Sequence, residues 1–400
     1  MIFTRNSAII RVYIGVLGFV YREDIFTMLF IKCDELRPGM RLARPIYSRK
    51  GALLYDRAHV LKDEQSIENI RNFGLMGVFI LEPAEPVPPM TQEDIEFERF
   101  QTVMYHEIME ELGRIVKTHR QEKFPNICAQ IIKSYGNLKK KITFQQGLRS
   151  TEDYIYKHSL NVGIIAAMIT HSLGASLAEQ NEAVMAGVIH DIGKLTLSFD
   201  LQSKLKCTSE EINTIDAHEM AGYPIIDDAF SSLPNVKRAC NQARKALLDY
   251  VKGNEVDVSK TLLSTRVLIV AGIFDKETAA RVDDAPISEV LVIKRMMQRN
   301  DVFDPKVVQA LVDSLNILVP GVSVELNTGE KALVIKTNDL DFLRPTILSF
   351  KDNSIIDLSN RRAYGDIEII DIMKTMDNRY MMDLSKIKGL GITVEEPEYV

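Results

Sequence analysis

The sequence predicts a mainly α protein, with a helical body behind a small α+β module and ahead of a short β-rich segment. Three observations carry that prediction. From Ser150 onward, segment after segment places apolar residues at helical spacing. Between about Phe30 and Leu81, short β-type runs alternate with turn residues, and the same character returns after Pro320-Gly321. The spacer Glu82-Pro83-Ala84-Glu85-Pro86-Val87-Pro88-Pro89 can be neither helix nor central strand, so it separates the first zone from the second.

Composition narrows the function. The chain has 400 residues, 46% hydrophobic and 26% charged, which allows two or three domains. Lys+Arg number 49 and Asp+Glu 55, so 49 − 55 = −6, a mildly acidic balance. A protein that holds nucleic acid through a general basic surface is thereby disfavoured, and no direct nucleic-acid binding is expected. Four cysteines (Cys33, Cys128, Cys207, Cys240) form no C-x-x-C pair and are too sparse for a disulfide framework, which points to a reducing cytoplasm.

The elements follow in order. Residues 1–27 read as an extension. Their apolar run Val12–Tyr21 is about half the roughly 20 residues that cross a bilayer, and no small-residue cleavage site follows it, so no transmembrane span is expected. Residues 28–82 form the small module. It has a turn at Leu36-Arg37-Pro38-Gly39-Met40, a strand from Leu42 to Tyr47, a helix from Asp63 to Phe73 ended by Gly74, and a strand from Gly77 to Leu81. Residues 83–90 are the linker and 91–150 a helical connector, helical from Thr91 to Tyr135 with Ile108, Leu112 and Ile115 on one stripe.

Residues 151–320 form the helical domain. Ser150-x-x-Asp153 is a capping box, Gly174 ends the helix it opens, and Leu177 to Ile192 is the next, stopped by Gly193. Asp304-Pro305 starts a helix running to Leu318. In residues 321–400, strands are expected at Val322–Leu326, Ala332–Lys336 and Thr346–Phe350, with turns at Asn327-Thr328-Gly329-Glu330 and Lys351-Asp352-Asn353.

Of seven histidines, three are candidates for chemistry. His59 follows a turn, and His106 and His119 lie on a polar helical stretch; His106-Glu107-Ile108-Met109-Glu110 lacks the second histidine of a zinc-protease helix. His171 lies roughly 220° around the helix from His158, so the two cannot share a ligand. His158 stands on an inward stripe with Val162, Ile165 and Ile169. His190-Asp191 ends the apolar run Ala183–Ile189, and His218 opens His218-Glu219-Met220-Ala221-Gly222. Imidazole nitrogen and carboxylate oxygen converging from separate elements are what a divalent metal needs. Any one buried histidine is ordinarily a hydrogen-bonded core residue. A charged dipeptide capping an apolar run costs several kcal/mol unless something compensates it.

Lys157-His158-Ser159 together with Ala186-Gly187-Val188-Ile189-His190-Asp191-Ile192-Gly193-Lys194 resembles the HD superfamily of metal-dependent phosphohydrolases. The spacing 218 − 190 = 28 to a His-x-x-x-Gly element is similar to the HD-GYP branch, the cyclic di-GMP phosphodiesterases. Ala271-Gly272-Ile273-Phe274-Asp275 and Phe303-Asp304-Pro305 resemble later landmarks of that branch. The resemblance spans about Lys32 to Leu358. It implies a helical HD-type core, metal ligation by His158, His190, Asp191 and His218, and catalytic roles for Asp191 and Lys194.

The sequence departs from that pattern at several places. The acidic position one turn before the first histidine holds Tyr154. Where the family places paired histidines and a glutamate, the chain reads Asn241-Gln242-Ala243-Arg244-Lys245, and where it places its ligating aspartate the chain has Gly272. The downstream Asp-Gly-x-Gly-Tyr-Pro is missing, and Gly222-Tyr223-Pro224 belongs to the earlier His-x-x-x-Gly element. The expectation is therefore at most one divalent ion (Fe, Mn or similar), or none. Lys194, Arg244 and Lys245 are then candidates to bind the phosphates of a cyclic dinucleotide or other phosphoester. Two readings stay open: a degenerate nucleotide sensor or scaffold, with a signalling-protein partner or as a homodimer, and an active metal-dependent phosphodiesterase.

Overall fold

The computed structural model describes residues 28–372, apart from 74, 76, 82–91, 145–148, 151, 199–200, 203, 205–206 and 280–285. The expected extension at 1–27, the proline-rich linker and the tail beyond 372 lie outside the described residues.

The head comprises β1 (Met28–Lys32), β2 (Arg41–Leu42), β3 (Ile46–Tyr47), β4 (Leu53–Tyr55), α1 (Glu64–Asn72) and β5 (Gly77–Leu81). Strands β1, β5 and β2 form one antiparallel sheet with β5 in the middle, and β3 pairs with β4. The run Leu42–Tyr47, expected as one strand, is split between the two sheets. Pro45 has no N–H to give a ladder, and the chain changes partner there. Asp63 caps α1 by accepting the Ser66 N–H at 2.8 Å. Leu42, Leu61, Ile67, Ile70 and Ile80 close a core of the head's own.

Helix α2 (Gln92–Thr118) is the head's docking surface. Arg44 approaches Glu98 at 3.7 Å, and a Cβ on Gly51 would stand 2.8 Å from Val103. The helix expected from Thr91 to Tyr135 breaks after Thr118, and α3 (Phe124–Tyr135) starts afresh. His119 takes a left-handed φ of 53°, and the buried Glu111 carboxylate accepts the N–H groups of Glu122, Lys123 and Phe124 at 2.6, 3.0 and 3.1 Å. Those are the orphan donors of a helix N-terminus, satisfied by a side chain of the preceding helix.

The helical body continues with α4 (Tyr154–Ser172), α5 (Leu177–Ile189), a short 3-10 helix (Ile192–Thr196), α6 (Ser209–Ala221), α7 (Tyr223–Ala229), α8 (Pro234–Val251), α9 (Leu263–Thr278), α10 (Glu289–Met297) and α11 (Pro305–Ser314). Ser150 and Asp153 exchange hydrogen bonds and close the turn from which α4 departs. Helix α5 stops at Ile189 and α11 at Ser314, each short of the expected end. Helices α4 and α9 bury residues around nearly their whole circumference, as central helices do. Gly163 and Gly187 allow α4 and α5 to touch: a Cβ on Gly187 would lie 3.2 Å from the Val162–Gly163 backbone.

The tail is an antiparallel sheet of β6 (Ser323–Leu326), β7 (Lys331–Lys336), β8 (Thr346–Ser349), β9 (Ile355–Asp357) and β10 (Ile369–Ile372) in the order β10-β6-β7-β8-β9, with a short helix α12 (Arg361–Tyr364). The expected turns hold Gly329 and Asn353 at φ 78° and 57°, where a left-handed backbone favours those residues. Unlike the head, the sheet has no core of its own: Val324, Leu326, Val334 and Ile347 join the core of the helical body. Among the described residues, no helix is long and apolar enough to cross a membrane. All four cysteines are unpaired.

Candidate metal centre

The close α4–α5 contact sets His158, which is 3% exposed, against the end of α5, where the chain turns through His190 and Asp191 into the 3-10 helix. One ligand atom from each of His158, His190 and Asp191 lies within 4.8 Å of the others. The His158 Nε2 is 3.7 Å from Asp191 Oδ2 and the His190 Nε2 is 3.4 Å from Asp191 Oδ1.

Each imidazole is anchored through its other nitrogen. His158 Nδ1 lies 2.6 Å from Asp275 Oδ2 on α9, and His190 Nδ1 lies 2.8 Å from the Gly187 carbonyl. With Nδ1–H donating to an oxygen, each Nε2 presents a lone pair. Metal-binding histidines are oriented in this way. Burial drives the His158 pKa down to about 4 despite the neighbouring carboxylates, so near neutral pH it is an uncharged, ligating imidazole.

Two protein cations flank these groups. Arg149 donates from Nη1 and Nη2 to the two oxygens of Asp275 at 2.7 and 2.5 Å, and both side chains are 0% exposed. Its guanidinium also lies 5.5 Å from the Tyr154 ring, which stacks on His158 at 5.6 Å. Burial would raise the Asp275 pKa; Arg149 first, then His158, reverse this and hold it at about 2. The second cation is Lys194, whose Nζ lies 2.8 Å from Asp191 Oδ1 and 2.8 Å from Glu219 Oε1. Burial would raise the Asp191 carboxyl, but His190, Lys194 and His158 together hold it below the usual carboxylate range.

Two glycines explain how Lys194 and Glu219 meet. A Cβ on Gly193 would stand 2.2 Å from the His218 carbonyl oxygen, and one on Gly222 would stand 2.8 Å from the Gly193 nitrogen. Only bare backbone lets the 3-10 helix press against the end of α6.

The expected site residues divide accordingly. His158, His190, Asp191 and Lys194 come together. His218 does not join the ligand group; its Nδ1 lies 2.7 Å from Thr196 Oγ1. Arg244 forms an ion pair with Asp216 and lies over the Tyr223 ring, while Lys245 is exposed on α8. Sequence reasoning gave no role to Arg149 or Glu219 and treated Asp275 only as the remnant of a motif. Glu219 adjoins a flagged histidine and Asp275 lies in a flagged motif, but Arg149 carries no pattern that could have marked it.

Among the described residues, the two anchored imidazoles and one buried carboxylate are donors of the kind that could hold a metal ion. Asp275 offers nothing further, since both its oxygens face Arg149. The α9 face one turn earlier is open: a Cβ on buried Gly272 would meet no atom within 4 Å.

The family model described as HD domain matches residues 155–280. Cyclic di-GMP phosphodiesterase PA4108 from Pseudomonas aeruginosa is 23% identical over 241 residues, covering 60% of this chain and 57% of that protein. Cyclic di-GMP phosphodiesterase response regulator RpfG from Xanthomonas campestris pv. campestris is 26% identical over 151 residues, covering 37% of this chain and 40% of that one. The chain thus spans about half the length of these relatives. Bd1817, an HDG"Y"P protein from Bdellovibrio bacteriovorus, aligns with a TM-score of 0.40 at 12% identity, over 72% of this chain and 98% of that one. The segment that matches the HD domain model holds His158, His190, Asp191, Lys194 and Asp275, and the chain is similar over part of its length to proteins named as cyclic di-GMP phosphodiesterases.

Proposed function

We propose that this protein is a cyclic di-GMP signalling protein with a degenerate HD-GYP-type site, binding at most one divalent ion and acting as a nucleotide sensor with weak or no hydrolysis. The observation behind this reading is the commitment of Asp275. Its two oxygens are held by Arg149 and His158, so among the described residues the donors that converge are the three around Asp191. Two bridged cations are what stabilise both the attacking and the leaving oxygen of an in-line phosphoryl displacement. When bound, one ion supplies Lewis acidity toward a phosphate oxygen. His158 and His190 would hold it, Asp191 would balance its charge, and Lys194 would meet phosphate oxygens directly.

Elemental analysis of the purified protein, paired with a turnover assay, tests the reading. At most one equivalent of Fe, Mn or a similar metal is expected, with calorimetric binding of cyclic di-GMP and little or no linear product. Two or more equivalents with sustained turnover would overturn it. Arg244→Ala tests the phosphate-binding role assigned to the α8 cations, and weaker nucleotide binding is expected. A second reading, an active single-ion phosphodiesterase, is favoured by the Nδ1 anchoring of both histidines. It requires metal-dependent linearisation of cyclic di-GMP or another phosphoester, abolished by Asp191→Ala.

A further inference from the structure

The two cations at the centre are held in different ways. The Arg149 guanidinium is fully enclosed and locked to Asp275 through two parallel hydrogen bonds. Lys194 has a flexible four-carbon stem, is 17% exposed, and shares a single ammonium between Asp191 and Glu219. The carboxylate it touches, Asp191, also belongs to the three-donor group. One buried carboxylate is therefore available to two cations, the lysine and an ion.

Charge counting gives the consequence. Asp191, Asp275 and Glu219 against Arg149 and Lys194, with the imidazoles left out of the sum, give −3 + 2 = −1. A divalent ion changes this to −1 + 2 = +1. The ion repels the ammonium from Asp191 and leaves the site with an excess of positive charge.

We propose that Lys194 is a tethered cation that occupies Asp191 when the ion is absent and turns toward a phosphate-bearing anion when the ion is bound. Glu219, at the C-terminal end of α6, keeps the ammonium at the site between the two positions. Metal and anion then bind cooperatively, each making room for the other, with a lysine as the moving part. This inference rests on the one-ion reading above and concerns how that site is regulated.

Mn²⁺ binding to the full chain, followed by electron paramagnetic resonance after chelator treatment, tests it in wild type and Lys194→Met, with and without inorganic phosphate. The variant should bind Mn²⁺ alone more tightly, by roughly five- to 150-fold, the ordinary range for coupled sites. It should also lose most of the gain in Mn²⁺ affinity that phosphate produces in wild type. Equal Mn²⁺ affinities in the two proteins, or an undiminished phosphate effect in the variant, would overturn the proposal. If Lys194→Met does not fold, reductive methylation of wild-type Lys194, read by mass spectrometry, decides instead. Mn²⁺ should speed the labelling, and an unchanged rate sinks the idea. Absence of Mn²⁺ binding in both proteins removes the one-ion reading as well, whereas equal binding removes only the lysine exchange.

Discussion

Replacing Arg149 with leucine tests the energetics of the centre most directly. Arg149 and Asp275 are both 0% exposed, with contacts of 2.5 and 2.7 Å. At an effective dielectric of about 20, unit charges about 4 Å apart attract by about 4 kcal/mol. Removing one partner of a buried pair costs about 3–5 kcal/mol, because the other charge is left uncompensated. For a body of this size each kcal/mol moves Tm by about 2–4 °C, so Arg149→Leu should melt about 6–20 °C lower. Circular dichroism melts of chelated protein at pH 7.5 provide the measurement. Adding Asp275→Asn should recover at least half of the loss, since asparagine is neutral yet still accepts the His158 Nδ1–H. A drop below about 2 °C for the single variant would refute the argument. So would a double variant that melts lower still, because the cost would then lie elsewhere than in an orphaned charge.

Further outcomes follow from the same structure. His158 titrates at about 4 folded against 6.5 unfolded, so the unfolded chain binds the extra proton between those values. Stability of metal-free protein should therefore be complete above about pH 6.5 and fall as pH drops toward 4. With 6.5 − 4 = 2.5 units at about 1.36 kcal/mol each, the loss is about 3 kcal/mol. Urea midpoints across that range should show the slope, and His158→Gln should flatten it. Gly193→Ala places a Cβ against backbone 2.2 Å away and should cost about 1–3 kcal/mol, whereas Gly272→Ala meets nothing within 4 Å and should gain about 0.5–1 kcal/mol. Melting shifts of the same sign for both would contradict the packing account. Glu111→Gln weakens three charge-assisted hydrogen bonds at the start of α3 and should cost about 1.5–3 kcal/mol. Faster amide exchange at Glu122 to Phe124 would show that the loss is local.

Much of the local structure was legible in the sequence, for identifiable reasons. Asp63 and Asp304 are side chains whose oxygens satisfy nearby N–H groups, and each marks a helix start as read, whereas Ser150 and Asp153 close a turn and the helix begins after it, at Tyr154. Gly329 and Asn353 occupy the left-handed turns where those residue types belong. The errors were extensions: one helix through Thr118 and Phe124, one strand through Pro45, and helix ends at Ile192 and Leu318. At His119 the break depends on the carboxylate of Glu111 eight residues earlier, which receives N–H groups from the chain beyond the turn. Apolar periodicity carries no trace of such a contact.

The sequence by itself offered a resemblance to the HD superfamily and, through it, four candidate ligands, of which the structure brings together His158, His190 and Asp191 but not His218. Tertiary structure alone decided how those donors are charged and occupied. Arg149 reaches Asp275 across 126 positions of chain, and Asp275 reaches His158 across 117. Lys194 meets Glu219 only because Gly193 allows the 3-10 helix against α6. A mildly acidic total charge could not foretell a buried arginine saturating one carboxylate and a movable lysine holding another. The interaction energy of buried charges depends on distances of a few ångströms, and those distances are set by packing between elements remote in the chain.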